Sequence, residues 1–390
     1  MHIPKEHCKT EHSSATGPQN EPVLLPGLPA HLALLCLSPL KPSLLYKVCK
    51  SWRRLIYSPD FPPFFALYAV LSHVSARPAS SDPDSISARG RHSHSITLAC
   101  LDPISATWRA LPGPPLGPSI LRRHPDIISW ALPIQSVTAS NKLALICAST
   151  NDFLPALHHP LVFDPSTARW ARGPAFRAPR RWCVAGSARG SVYVASGVGA
   201  GYDADVARSI ERWDPSSGDE SWERLADYRD GRFCREGIEA VGYGGNKLCM
   251  VNAIGARSGK QGAVYDVVED RWEEMPRGML GGWNGPVSVD ACDERAMYVV
   301  DRKEGSISAY DGVNDRWVGV VGGLERVKGA EKVAVRGGKM CVVSEEGREI
   351  VVVDVLARPP NVWVVEPPSG TEVVAVHVLP RMAISEDQRF

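Results

Sequence analysis

An apolar run that ends in Asp, with a tryptophan soon after it, recurs six times along this chain and leaves few folds open to it. The copies are Leu101-Asp102 with Trp108, Phe163-Asp164 with Trp170, Trp213-Asp214 with Trp222, Tyr265-Asp266 with Trp272, Tyr310-Asp311 with Trp317, and Val353-Asp354 with Trp363. Successive tryptophans stand 62, 52, 50, 45 and 46 residues apart. A strand that runs into Asp turns sharply, because the carboxylate accepts bonds from backbone just ahead of it. The tryptophan then falls on the following strand, where its ring is expected to pack between neighbouring units. Burying about 150–250 Å² per ring contributes roughly 4–6 kcal/mol before entropy is subtracted. A repeat near fifty residues is the spacing of β-propeller blades.

Two further strands precede each Asp, so each unit reads as four strands. The earlier pairs are 135–138 with 142–147, 182–188 with 191–197, 238–241 with 247–252, 287–291 with 296–300, and 332–335 with 339–343. The first unit begins at 64–71 and lacks an innermost strand, while 373–379 is left over after the sixth tryptophan. The leftover strand is expected to complete the first blade and so remove an open sheet edge. The reading is a six-bladed propeller closed by the C-terminal strand.

Residues 1–21 are polar and aperiodic, the pattern of a disordered arm. The next forty residues change character. Leu28, Leu32 and Leu35 recur at helical spacing, then Leu44, Leu45, Val48, Cys49, Trp52, Leu55 and Ile56 follow, with Ser43 read as an N-cap. Lys47, Lys50, Arg53 and Arg54 take the other face. Two or three helices this short cannot bury a sufficient core, so the apolar stripe calls for another surface.

The run Leu28-Pro29, the leucine-rich helix and the ending Val48-Cys49-Lys50-Ser51-Trp52-Arg53-Arg54-Leu55-Ile56 with Ser58-Pro59 resemble an F-box. That family often has an acidic residue just after Leu-Pro, where this chain has Ala30-His31. The repeat units resemble kelch repeats. The third is the best match, with Pro179-Arg180, Gly190, Tyr193-Val194, Ser196-Gly197, Asp214 and Trp222, the family's double glycine reduced to Ser196-Gly197. Nearly the whole chain is therefore similar to plant F-box/kelch-repeat proteins of the adaptor-interacting-partner group. The resemblance implies a small all-α F-box module at 22–62, an all-β propeller at 63–380 and a tail at 381–390. It also implies a Skp-type adaptor as partner, and through it a cullin–RING ubiquitin ligase. The adaptor face implied is Leu28, Pro29, Leu32, Leu35, Leu44, Leu45, Val48, Trp52, Leu55 and Ile56. The propeller is then the receptor for a target to be ubiquitinated and degraded. The alternative reading is a kelch scaffold outside ubiquitin transfer.

In such a blade the loops joining strands two to three, and four to the next strand one, emerge together. Those loops are the long ones here: 72–95, 110–134, 149–160, 173–181, 198–207, 225–236, 254–261 and 275–285. Long loops on a rigid scaffold are where binding is expected. Arginines concentrate in them, and Arg123, Arg180, Arg181, Arg232, Arg235 and Arg277 are candidates for holding an acidic or phosphorylated target. Trp283 joins them as an apolar anchor, with Trp130, Phe153, Leu154 and Tyr202 of the same type.

Enzyme signals fail one by one. Gly197, Gly199 and Gly201 lack the third-glycine spacing of a dinucleotide site, and Gly255…Gly259-Lys260 lacks the phosphate-loop interval. His92 with His94, and His158 with His159, have no ligand partner nearby in sequence, so no metal and no cofactor is expected. A net charge of +1 makes no case for nucleic acid. No apolar run approaches a membrane span. Ten cysteines without a C-x-x-C pair, and no signal-peptide pattern, suggest free thiols in a reducing compartment. The chain thus reads as a soluble, non-catalytic intracellular protein of cytoplasm, nucleus or both.

Overall fold

In a computed structural model of the 390-residue chain, residues 24–73, 96–115, 134–150, 152–229, 237–254 and 259–383 are described. The chain divides between Pro62 and Pro63 into two compact units.

The first unit carries three short helices, α1 (Ala30–Leu37), α2 (Pro42–Tyr46) and α3 (Lys50–Ile56). Proline sets the boundaries. Pro29 is the N-cap of α1, and Pro42 takes the first position of α2, where a missing N–H costs nothing. Ser43 therefore lies inside α2 and Lys41 is its N-cap, which corrects the capping expected from sequence. Helices this short do not hold themselves in water. Side chains tie them: the Trp52 indole N–H donates to the Leu24 carbonyl at 2.8 Å, and Arg53 Nε donates to the Tyr46 carbonyl at 2.6 Å. The Arg53 guanidinium also sits 4.8 Å above the Tyr46 ring, which meets Tyr57 edge-on.

The second unit, Pro63–Ile384, is a six-bladed propeller, with six four-stranded antiparallel sheets among the described residues. The inner strands are Thr371–Pro380, Ile134–Ala139, Val184–Ala188, Gly237–Tyr243, Val287–Asp290 and Lys332–Arg336. The C-terminal strand does complete blade one. It pairs antiparallel with Phe65–His73 from Phe65↔Pro380 to His73↔Thr371, and the Tyr68 hydroxyl donates to the Pro380 carbonyl at 2.8 Å.

The repeated Asp forms the expected turn in every blade. One carboxylate oxygen accepts the backbone N–H two residues on: Asp102 from Ile104, Asp164 from Ser166, Asp214 from Ser216, Asp266 from Val268, Asp311 from Val313 and Asp354 from Leu356, at 2.7–3.2 Å. The tryptophans then stitch blade to blade. The indole N–H donates to a carbonyl of the preceding blade in five cases: Trp108 to Glu366, Trp170 to Pro112, Trp222 to Pro174, Trp272 to Ala226 and Trp317 to Met279. The bond from Trp108 crosses the closure, from blade one back to blade six. Trp363 breaks the pattern and makes no such bond among the described residues, which corrects its reading as an equivalent sixth copy.

Hydrophobic cores lie between blades rather than within them. One spans blades two and three through Ile146, Cys147, Cys183, Trp213 and Trp222; another spans blades six and one through Leu67, Leu71, Cys341, Val343 and Val376. Cys147, Cys249 and Cys341 are buried free thiols, acting as small apolar side chains.

Candidate functional site

Two surfaces carry candidate residues, one on each unit. On the helical unit the apolar side chains sort into two sets. Ala33, Leu37, Leu45, Leu55 and Ile56 are buried. Leu28, Leu32, Leu35, Leu40, Leu44 and Val48 are exposed, each between 41% and 66%. Helical geometry explains the split: Ala33 and Leu37 are four apart on α1 and share a face, from which Leu35 points away. Thus Leu28, Pro29, Leu32, Leu35, Leu44 and Val48 are presented at the surface, and Trp52 is half-buried and anchored to Leu24. Leu45, Leu55 and Ile56 are not. They are enclosed, and their part in any docking is to set the shape beneath the exposed leucines. Over residues 24–62 the only acidic residue is Asp60, against Lys41, Lys47, Lys50, Arg53 and Arg54, so the stretch that carries the exposed leucines is strongly cationic. No side chain caps α1, and no acidic residue stands in its first turn.

On the propeller, the structure corrects two expected target contacts. Arg180 is 2% exposed, with its guanidinium turned inward. It donates from Nε to the Ala178 carbonyl at 3.2 Å, and from Nη1 to the Ser196 carbonyl at 3.2 Å and Ser209 Oγ at 2.8 Å. Its Nη2 donates to Glu211 Oε1 at 2.5 Å. A buried arginine needs this full set of acceptors, and the loop folds to supply it. The degenerate Ser196-Gly197 is part of the same clamp. Ser196 adopts a left-handed backbone (φ 59°), held by Oγ donating to the Ala207 carbonyl at 2.8 Å. Gly197 follows at φ 104°, where an added Cβ would come within 3.0 Å of the Arg181 carbonyl.

Trp283 is the second correction. It is fully buried among Cys249, Met279 and Met297, and its indole N–H points at Glu239 Oε2 at 3.4 Å. Arg181 is half-buried, its guanidinium 3.8 Å over the Trp182 ring, and burial holds it below the usual arginine range. Arg277 is exposed at the start of α5 (Arg277–Gly282), the helix that follows α4 (Ala204–Arg208) in the chain. The N-terminal amides of Gly278 and Met279 in α5 are both held by Asp315 of the next blade. Leu154 and Tyr202 are exposed as expected. Arg123, Arg232, Arg235 and Trp130 lie outside the described residues.

Sequence reasoning missed the middle of the ring. A channel of about 450 Å³ runs between the six inner strands. Into it face Ser136 and Thr138 of blade two, Glu239 of blade four, Ser288 of blade five, Lys332 of blade six and His377 of the closing strand. His377 is bracketed by Ser136 Oγ at 2.9 Å and Thr138 Oγ1 at 3.0 Å. Burial, and then the neighbouring Lys332 charge, push its pKa down to about 3, so the ring is neutral. Burial likewise raises Glu239 and lowers Lys332, each opposed by the charge of the other. The signal for these residues was the polar member of the strand alternation, as in Val-Ala-Val-His-Val. Among the described residues no three His, Cys, Asp or Glu side chains are placed to hold a metal ion, and no helix is long and apolar enough to cross a membrane.

A small helical unit with six exposed large apolar side chains, followed in the chain by a closed six-bladed propeller, defines a two-part protein of the recognition type. The comparisons with known proteins say which. The chain is 46% identical over 382 residues, 95% of its length and 92% of the relative's, to the F-box/kelch-repeat protein SKIP25 of Arabidopsis thaliana. It is 25% identical over 182 residues, 41% of this chain and 38% of the relative, to the F-box/kelch-repeat protein At1g22040 of the same plant. No family model matches it. Among solved structures it is similar to TolB from Acinetobacter baumannii, at 14% identity and a TM-score of 0.47 over 81% of this chain and 67% of that one. The chain belongs to the F-box/kelch-repeat proteins.

Proposed function

We propose that this chain is the substrate-recognition subunit of an SCF-type ubiquitin ligase, its helical unit binding a Skp-type adaptor and its propeller binding the target protein. The observation that carries the reading is the exposure of Leu28, Leu32, Leu35, Leu40, Leu44 and Val48: six large apolar side chains open to solvent on some forty residues. A soluble surface rarely leaves such a patch uncovered unless a partner covers it. The lysines and arginines around it suit an acidic adaptor surface and would speed encounter.

The target side rests on the long-loop rim, where Arg181, Arg277, Leu154 and Tyr202 offer cationic and apolar contacts to an acidic or phosphorylated segment. No chemistry is asked of this chain. It supplies proximity and orientation, raising the effective concentration of target lysines at the conjugating enzyme carried by other subunits.

The test is calorimetric titration of the purified full-length chain with a Skp-type adaptor, beside Leu35→Asp/Leu44→Asp. Both positions are exposed, so the variant should keep the wild-type melting profile. Loss of at least about thirtyfold in affinity, the scale of a hot-spot contact, is expected. Unchanged affinity in a folded variant would sink the adaptor assignment and favour a scaffold unconnected to ubiquitin transfer.

A further inference from the structure

The six blades provide an internal control, and blade six departs from it in three ways. The first is register. In the other blades the tryptophan stands opposite the residue just before the repeated Asp: Leu101↔Trp108, Phe163↔Trp170, Tyr265↔Trp272 and Tyr310↔Trp317, with Trp213 and Trp222 in ring contact at 5.6 Å. In blade six that position belongs to Val362, opposite Val353, while Trp363 stands opposite Val352. A slip of one residue turns a side chain to the other face of a sheet. Trp363 accordingly makes neither the bond to the preceding blade nor a ring contact among the described residues, and 43% of it is open to solvent.

The second departure is charge. Outer strands are sheet edges, and charged side chains usually guard them. Here the others carry Arg109; Arg169 and Arg172; Glu223 and Arg224; Arg271, Glu273 and Glu274; and Arg316. The outer strand of blade six, Asn361–Val365, reads Asn-Val-Trp-Val-Val and carries none. The third is exposure. Val362 and Trp363, adjacent large apolar side chains on this one strand, are 41% and 43% open to solvent.

We propose that this edge is a self-association surface, on which strand Asn361–Val365 pairs antiparallel with the same strand of a second copy of the chain. A two-fold interface must be complementary to itself. An uncharged strand meets its own copy without setting like charges opposite each other. The flanks favour the same arrangement. Exposed Arg358 precedes the strand and exposed Glu366 follows it, so antiparallel pairing carries the arginine of each copy past the glutamate of the other. Pro359 and Pro360 end the pairing on one side, and Trp363 occupies its centre, the place where aromatic anchors act.

Sedimentation velocity on the full-length chain over a wide dilution series tests this. Wild type is expected to show concentration-dependent dimers. Trp363→Ala and Val362→Lys should each weaken association about thirtyfold or more. Arg358→Glu alone should weaken it less, and Arg358→Glu/Glu366→Arg should restore it, an outcome misfolding would not give. The altered positions are exposed, so melting profiles should match wild type. A chain monomeric at every concentration would overturn the proposal. So would dimers that survive Val362→Lys, or dimers lost on changing Leu35 and Leu44 of the helical unit instead. Protection of the Trp363 strand only when a different protein binds would also overturn it, assigning the edge to a hetero-partner.

Discussion

Arg180 shows how little a residue type says about its role until its acceptors are known. A charged side chain in a long loop reads as a contact for a partner, yet here it is the clasp that holds the loop to blade three. Removing it leaves Glu211 as a buried carboxylate without its cation, a loss on the order of 3–5 kcal/mol. Arg180→Ala should lower the urea midpoint accordingly, whereas Arg180→Met/Glu211→Leu should recover most of the stability. Equal losses in the single and double variants would contradict the clasp. His377 makes a different prediction, in pH. Its folded pKa is pushed down to about 3 from an unfolded value near 6.5, so between these the unfolded chain binds the extra proton. Its contribution is therefore fully present above about pH 6.5 and is lost as pH falls toward 3, with a slope reaching about 1.4 kcal/mol per pH unit. Unfolding free energy measured from pH 7 to 4 should fall less steeply in His377→Gln. An unchanged slope would mean that other groups carry the acid sensitivity.

At the scale of elements, the sequence reveals whatever is periodic and hides whatever depends on register. The Asp turns and the strand pairs could be read because each has a local cause, a carboxylate beside its own backbone or alternation along a few residues. The closing strand could be read because blade one was short by one strand. Trp363 could not, since spacing alone does not say which face a ring ends on: Trp222, eight residues past Asp214, keeps the bond to the preceding blade, and Trp363, nine past Asp354, does not. Leu45 and Leu44 make the same point in a helix: they are neighbours in sequence, one 1% and the other 57% exposed. Apolar periodicity identified the helical unit but not which of its leucines were left outside. Trp283 was misjudged because it ends a loop in sequence but seals the core between blades four and five in space.

At the scale of the whole molecule, the ring has no independent parts, because each blade lends its face to a core shared with the next. Removing 371–390 would open two of these cores and leave Phe65–His73, a nine-residue apolar strand, as a bare edge. Such a chain should lose its single cooperative melting transition and bind a hydrophobic dye, and a peptide spanning 371–383 should restore the transition. A truncated chain that melts as wild type does would show that the closure is dispensable. The same closure orders events on the ribosome. Tyr68 and the carbonyl it bonds are 312 positions apart, which at about 5–20 residues per second is roughly 15–60 s of synthesis. Throughout that interval the helical unit is already made while the ring is still open. A nascent chain can thus meet an adaptor well before it has a finished surface for a target, and whatever holds the unfinished ring in the meantime has to release it when the final strand arrives.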